Sequence, residues 1–171
     1  MANPIAWMGA ALHIVMHAVG KITLFFCAGA IFVGAHKKYI SQMDGLGHRM
    51  PWTMGAFTLA SFSIIGLPPM GGVWSKWYLC LGALEAGHVM YLAAYMISSL
   101  LSIAYLMPIV GRAYFRKPSK HDQSHVHEAP WMCVLPLCLT AVGCVVLFVY
   151  PTPIFEMLEM IFDVKLAKGG V

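Results

Sequence analysis

The stretch His13-Ile-Val-Met-His17-Ala-Val-Gly-Lys21 places three titratable side chains inside a long apolar run. This run extends from Ile5 to Ala35, and Lys21 is its one formally charged residue. Because the three residues are spaced four apart, they lie in a row about 12 Å long on one face of a helix. A lysine inside a membrane span is costly and usually faces a protein interior or a water path. The stretch therefore predicts a route for protons or ions.

The composition of the whole chain predicts an all-α, polytopic membrane protein. Of the 171 residues, 60% are hydrophobic and 11% are charged, whereas a soluble domain has about 25% charged residues. The net charge of +4 comes mostly from the loops and the tail, which indicates anchoring at the membrane interface and not nucleic-acid binding. The apolar run behind Met1 is too long for the core of a signal peptide, so we expect a retained first helix.

Turn residues divide the chain into about five membrane segments, one of which is interrupted. The stretch Gly66-Leu-Pro-Pro-Met-Gly-Gly72 cannot continue an α-helix, and such breaks occur at membrane depth where helices line a cavity. The apolar spacing in 151–171 is typical of an amphipathic tail on the membrane surface. The predicted ranges are a membrane domain 1–150, with spans at about 4–35, 51–66, 73–87, 89–115 and 130–150, and the tail 151–171.

The orientation of the chain is predicted from its two basic loops. With five segments, the basic loops 37–49 and 112–120 should fall on opposite sides of the membrane. The second loop has more lysine and arginine residues, so the positive-inside rule favours a cytoplasmic position for 112–120.

Three motifs in this order resemble the antiporter-like, proton-translocating subunits shared by respiratory complex I, Mrp-type cation/proton antiporters and membrane-bound hydrogenases. They are His13-x3-His17-x3-Lys21-x2-Leu-Phe-x2-Ala-Gly29, Asp44-Gly-Leu-Gly-His-Arg-Met-Pro-Trp-Thr-Met54 and Ser63-Ile-Ile-Gly-Leu-Pro-Pro-Met-Gly-Gly-Val-Trp-Ser-Lys-Trp-Tyr-Leu79. The amino-acid sequence of these motifs is most similar to that of the D-type subunit of the Mrp group. In that family, fourteen helices contain two inverted five-helix repeats, each with a broken helix and a buried lysine. The motifs here match only the second repeat and the last helix.

The resemblance assigns roles to particular residues. Lys21 resembles the central-axis lysine of the second repeat, His13 and His17 resemble its relay neighbours, and Lys76 resembles the broken-helix lysine near the outlet. The chain would then be a half-channel subunit of a cation/proton antiporter or of a redox-driven pump of the complex I or membrane-bound hydrogenase type. Its place would be the cell inner (cytoplasmic) membrane or an equivalent energy-transducing membrane.

The resemblance also implies which partners the chain has. We expect other integral membrane subunits, including one that supplies the missing N-terminal helices, together with lipid and without nucleic acid. No redox centre is visible in the sequence and no cofactor is expected, so the driving force has to come from partner subunits. Within a complex of the NADH:quinone oxidoreductase type, the chain would count as a subunit of a translocase.

Several side chains have two interpretations. Ser102 and Tyr105 either hydrogen-bond water along the path or pack helices together. Glu85 lies nine residues after Lys76, near the same helix face, and is either part of the path or an end-of-helix residue.

The sequence is also compatible with two alternative functions. The absence of a first repeat favours a split or remnant subunit that supports assembly and conducts nothing. Alternatively, the histidines in His121-Asp-Gln-Ser-His-Val-His-Glu128 suggest a membrane metalloenzyme. No further ligands have a known metal-site spacing, so we expect a solvated loop without a metal.

Overall fold

The computed structural model describes residues 3–117 and 126–162, which form α-helices joined by short connections. The helices are α1 (Pro4–Ala35), α2 (Leu46–Arg49), α3 (Pro51–Ile65), α4 (Gly72–Glu85), α5 (Val89–Phe115), α6 (Trp131–Val149) and α7 (Thr152–Phe162). Three of them, α1, α5 and α6, are long and apolar enough to cross a membrane, and α3 is a shorter apolar helix. The predicted all-α, polytopic membrane fold is confirmed.

The interruption predicted at Gly66–Gly72 separates α3 from α4. Gly66 has a φ of 86°, a left-handed conformation that ends helices and favours glycine. The amides of Gly66 and Leu67 both donate to the carbonyl of Phe62 at 2.9 Å. α4 then begins at Gly72, where an added Cβ would lie 1.9 Å from the carbonyl oxygen of Ser63. The two halves of the interrupted helix therefore approach each other closely at the break.

Both halves lie antiparallel to α1, one after the other. The close contacts follow a single order along α1: Met50 lies beside Gly34, Ile64 beside Gly20, Gly71 beside Met16, and Gly82 beside Ala6. A Cβ on Gly9 would lie 2.8 Å from the backbone nitrogen of Leu79, so this crossing depends on a small residue. Together, α3 and α4 make a single pass along α1.

The break is also fastened to α6. The amide of Gly71 donates to the carbonyl of Cys144 at 3.0 Å. The indole of Trp74 donates to the carbonyl of Phe148 at 3.1 Å and stacks on its ring at a centroid distance of 6.0 Å. The last two turns of α6 thus hold the start of α4.

The loops that follow α1 and α5 lie at the same end of the bundle. The amide of Gly45 donates to the carbonyl of Arg112 at 3.2 Å, and Asp44 pairs with Arg112 at 3.7 Å and with Arg116 at 3.9 Å. The prediction that these loops fall on opposite sides is therefore wrong. It counted α3 and α4 as two passes, whereas they make one. We call the end formed by residues 36–50, 112–117 and 126–130 the basic end.

The segment 126–130 packs against the basic end. Val126 and Ala129 are buried. The carboxylate of Glu128 accepts hydrogen bonds from the amide of Trp52 at 3.2 Å and from the hydroxyl of Thr53. The first amides of a helix lack partners within it, so this carboxylate caps the start of α3. The expected solvated loop is thus wrong for Val126 and Glu128, whereas His127 is exposed. Residues 121–125, with His121 and His125, lie outside the described part of the chain.

α7 continues past α6 along the N-terminal half of α1. Leu158 is buried against Met8 and Leu12, and the ring of Phe155 meets that of Tyr78 at 5.3 Å. Part of the apolar surface of this helix is therefore covered by the protein itself. Ile161 remains exposed. The membrane-surface position expected for the tail stays a prediction, and residues 163–171 lie outside the described part of the chain.

Candidate functional site

The row of titratable residues on α1 meets α4 just after the break. The ring of His13 lies 5.4 Å from that of His17, measured between centroids. Its Nδ1 atom lies 3.0 Å from the hydroxyl oxygen of Ser75 on α4. Both imidazoles are half-buried. The hydrogen bond between His13 and Ser75 therefore joins the α1 row to the interrupted helix.

The direction of this hydrogen bond follows from the second bond of Ser75. The Ser75 hydroxyl donates to the carbonyl of Gly72 at 3.0 Å, so its oxygen is left to accept from His13. A neutral imidazole has one N–H and one acceptor nitrogen. His13 therefore carries its proton on Nδ1 when it is neutral, and Nε2 is the nitrogen that takes up and releases a proton.

Lys76 follows Ser75 and lies across the break. Its ammonium donates to the carbonyl of Ile65 at 2.7 Å and to the hydroxyl of Ser99 on α5 at 2.8 Å. Because α3 ends here, the Ile65 carbonyl has no partner within the helix, and the end of a helix favours a positive charge. A Cβ on Gly66 would lie 2.8 Å from Cδ of Lys76, so the glycine leaves room for the lysine side chain.

The titratable groups of this region act on one another electrostatically. His13 lies within the field of His17 and of Lys76, and His17 lies within the fields of both Lys21 and Lys76. Charges that share a low-dielectric region interact strongly. His17 thereby links the two lysines.

Lys21 is the outermost member of the row and is exposed on the surface of the 171-residue chain. An α-helix has 3.6 residues per turn, so each four-residue step turns the row by about 40° around the helix axis. Consequently, His13 and His17 are half-buried beside the neighbouring helices, whereas Lys21 lies on the exposed side of α1. The described helices bring His13, His17 and Lys76 together, with Lys21 at the edge of this group.

The other predicted residues lie elsewhere. Ser102 is buried and donates to the carbonyl of Ser98 in its own helix at 2.9 Å, an arrangement that fits helix packing. Tyr105 is 52% exposed. Glu85 accepts from the side-chain amide of Asn3 at 3.0 Å, at the far end of α4, which fits the end-of-helix interpretation.

Two residues of the site were not selected from the sequence. Ser75 precedes Lys76 directly, and Ser99 lies one helical turn before Ser102. In the sequence, neither hydroxyl differs from that of any other serine in an apolar helix. The position of Ser75 next to Lys76 was the available signal for a site residue, and Ser99 had no such signal.

The basic end contains the predicted metal candidate Glu128, but its carboxylate is bound to the start of α3. Within residues 3–117 and 126–162, no group of three or more His, Cys, Asp and Glu side chains is arranged to hold a metal ion. Both carboxylate oxygens of Glu128 accept hydrogen bonds from the start of α3.

The described helices thus form a membrane bundle with an interrupted helix, a lysine at the break and a facing row of histidines. Residues 1–102 match the family described as NADH:quinone oxidoreductase/Mrp antiporter, TM. The chain belongs to this family. Its placement in the D-type subgroup stays a prediction.

Individual relatives agree with this assignment. The chain is 37% identical over 158 residues to NADH-quinone oxidoreductase subunit N of Desulforudis audaxviator, covering 86% of this chain and 32% of the relative. It is 31% identical over 140 residues to NADH-quinone oxidoreductase subunit L of Rickettsia bellii, covering 81% of this chain and 22% of the relative. The chain thus spans about a third or less of the length of these curated relatives.

The fold is shared with a solved membrane complex. A chain in the structure of the Mrp complex from Dietzia sp. DQ12-45-1b superimposes with a TM-score of 0.85 at 18% sequence identity, covering 94% of this chain and 38% of that chain. At this identity the similarity concerns the fold.

Proposed function

We propose that the chain is a proton-translocating part of a larger membrane complex, either a cation/proton antiporter or a redox-driven pump of the complex I or membrane-bound hydrogenase type. The observation that carries this proposal is the hydrogen bond from His13 to Ser75. It connects the titratable row on α1 to the break in the interrupted helix, directly beside Lys76.

In the proposed mechanism, protons move sideways between Lys21 and Lys76. His17 and His13, with water between the groups, pass the proton along, because an imidazole exchanges protons near neutral pH. Two lysines that share a low-dielectric region repel each other when both are charged. Protonation of one therefore favours release from the other, and partner subunits supply the driving force.

The exposure of Lys21 identifies a surface that requires a neighbour. A charged lysine facing lipid at the centre of a bilayer costs about 3 kcal/mol or more. We infer that further membrane helices cover this side of α1 in the working complex. They belong either to another subunit or to the same polypeptide outside these 171 residues, and they complete the path for protons.

We further propose that the basic end faces the cytoplasm of an energy-transducing membrane, such as the cell inner membrane. Six lysine and arginine residues of the described chain lie at this end (Lys37, Lys38, Arg49, Arg112, Arg116 and Lys117), while the turn 86–88 at the other end has none. The positive-inside rule places such loops in the cytoplasm. In spheroplasts, an impermeant maleimide should label His88→Cys and leave Ile40→Cys unlabelled, and the reverse result excludes this orientation.

The decisive experiment is proton transport by the assembled complex in proteoliposomes. Lys21→Ala and Lys76→Ala should each abolish most of the transport, while Lys38→Ala, at an exposed loop position, should leave it unchanged. If both site variants assemble and transport normally, the proton-path proposal is wrong. A complex that needs the subunit but tolerates both substitutions would instead support the role in assembly.

A further inference from the structure

An open apolar groove lies between α3 and α5 at the basic end. It has a volume of about 710 Å³ and is lined mainly by His48, Gly55, Thr58, Leu59, Val110 and Tyr114. The α3 residues are spaced three and four apart, so they share one helix face. His48 of α2 closes one end of the groove, which we call its upper end. The groove lies away from the titratable row, which faces α4.

The walls of the groove present hydrocarbon. The hydroxyl of Thr58 donates to the carbonyl of Met54 in its own helix at 2.8 Å, so the hydrogen-bonding capacity of this side chain is used within α3. At Gly55, an added Cβ would have nothing within 4 Å. The floor of the groove is therefore open space with an apolar lining, which suits a hydrocarbon chain.

Basic residues lie at the end of the groove that is closed by α2. His48 is exposed there, with its Nε2 atom 3.2 Å from the carbonyl of Tyr114. Phe115, also part of the lining, is 89% exposed. It is followed by Arg116, whose side chain is 58% exposed and lies 3.9 Å from the carboxylate of Asp44. At the basic end, six lysine and arginine residues stand against two described carboxylates, Asp44 and Glu128. Positive charge is thus in excess where the apolar groove opens.

We propose that this groove binds one acyl chain of an anionic phospholipid, with the phosphate of the headgroup against His48 and Arg116. An anionic lipid matches both features, because its chain fills the apolar floor and its phosphate meets the cationic rim. A packed helix from a neighbouring subunit would match the apolar floor alone. Lysine and arginine near a membrane surface attract anionic lipids in the same way.

The test is native mass spectrometry of the purified full chain, or of its complex, exchanged into micelles that contain equal amounts of phosphatidylglycerol and phosphatidylcholine. The wild-type chain should retain phosphatidylglycerol preferentially. Gly55→Leu should remove it, because the leucine side chain occupies the groove. Gly111→Leu is the matched control, since a Cβ at Gly111 also has nothing within 4 Å but lies outside the groove lining.

A second pair of variants tests the headgroup contact. Arg116→Gln should lower the ratio of bound phosphatidylglycerol to phosphatidylcholine about fivefold, which is the effect of one cation near an anionic lipid surface. Lys38→Gln, at the same end but outside the lining, should leave the ratio unchanged.

Three outcomes would overturn the proposal. If Gly55→Leu and Gly111→Leu retain the same amount of lipid, the groove is not the binding site. The wild-type chain binds both lipids equally, which excludes recognition of the phosphate-bearing anionic headgroup. In the complex, Gly55→Leu releases a protein subunit while bound lipid is unchanged, which makes the groove a protein interface. None of these readouts depends on proton transport.

Discussion

The two membrane lysines of this chain differ in how much of their surroundings the chain itself provides. Lys76 lies across a helix break and donates to Ile65 on α3 and to Ser99 on α5. Lys21 lies near the middle of α1 and is exposed. The first lysine is held by two hydrogen bonds to neighbouring helices, whereas the second faces outward from the described bundle.

The difference shows which part of the proposed path is built within these 171 residues. The break, the serine beside it and the two histidines form a group held by its own helices. The outer end of the row requires a surface that the described residues do not provide. Substitutions at the two lysines should therefore have similar effects on transport in the complex and different effects on the stability of the chain alone.

The largest expected effect comes from replacing either lysine with arginine. Arginine keeps the positive charge but does not lose its proton in proteins. Lys76→Arg and Lys21→Arg should each lower proton transport by roughly 100-fold, the usual contribution of a positioned proton-transfer group. Transport is measured by dye quenching in proteoliposomes that contain the assembled complex. Normal transport by both variants would mean that a fixed charge is sufficient and that neither lysine exchanges protons.

The second prediction concerns stability and separates the two lysines. Lys76→Met should destabilise the chain by about 2 kcal/mol, because it removes charge-assisted hydrogen bonds to Ile65 and Ser99. Lys21→Met should change stability by less than about 0.5 kcal/mol in the chain alone. Unfolding in detergent, followed by circular dichroism, provides the measurement. Equal losses for the two variants would contradict the assignment of Lys76 as the internally held lysine.

The third prediction tests the link between α1 and the break. Ser75→Ala removes the acceptor that holds Nδ1–H of His13, so the imidazole is no longer fixed in one tautomer. We expect transport to fall about tenfold, at the lower end of the effects of positioned proton-transfer groups, while the complex remains assembled. The matched control is Ser102→Ala, which removes a buried hydroxyl that bonds within its own helix. A loss of the same size in both variants would indicate a general packing defect.

The smallest effect is expected at the basic end, far from both lysines. Glu128→Ala should cost about 1 kcal/mol of stability, the usual effect of removing a helix cap, and should leave transport unchanged. Glu156→Ala, at an exposed position on α7, is the control. If a folded and assembled complex with Glu128→Ala transports protons more slowly than the wild type, the basic end takes part in the proton path.

Local sequence signals predicted a large part of this architecture. Prolines and glycines between Gly66 and Gly72 identified the interruption, because no helix accommodates them together. The spacing of His13, His17 and Lys21 identified the row, because the helical repeat is fixed. Three ordered motifs identified the family, which the comparison with known proteins confirms.

The features that were missed depend on contacts between distant parts of the chain. Whether α3 and α4 make one pass or two is decided by their packing along α1, so the sides of the loops were predicted incorrectly. The Glu128 carboxylate caps α3 by accepting a hydrogen bond from the amide of Trp52, which is 76 residues away in sequence. Ser75 and Ser99 become site residues only because α1 and α5 pack beside α4.

The attachment of the break to α6 has a mechanical consequence. Gly71 and Trp74 donate to carbonyls in the last turns of α6, and α7 packs against both α1 and α4. We expect α4 and α6 to shift together, since separating them breaks two hydrogen bonds and an aromatic stack. A spectroscopic distance between labels on α4 and α6 should then stay constant while the distance from α4 to α3 varies during turnover. A shift of α6 would thereby change the position of Lys76 relative to Ile65 on α3.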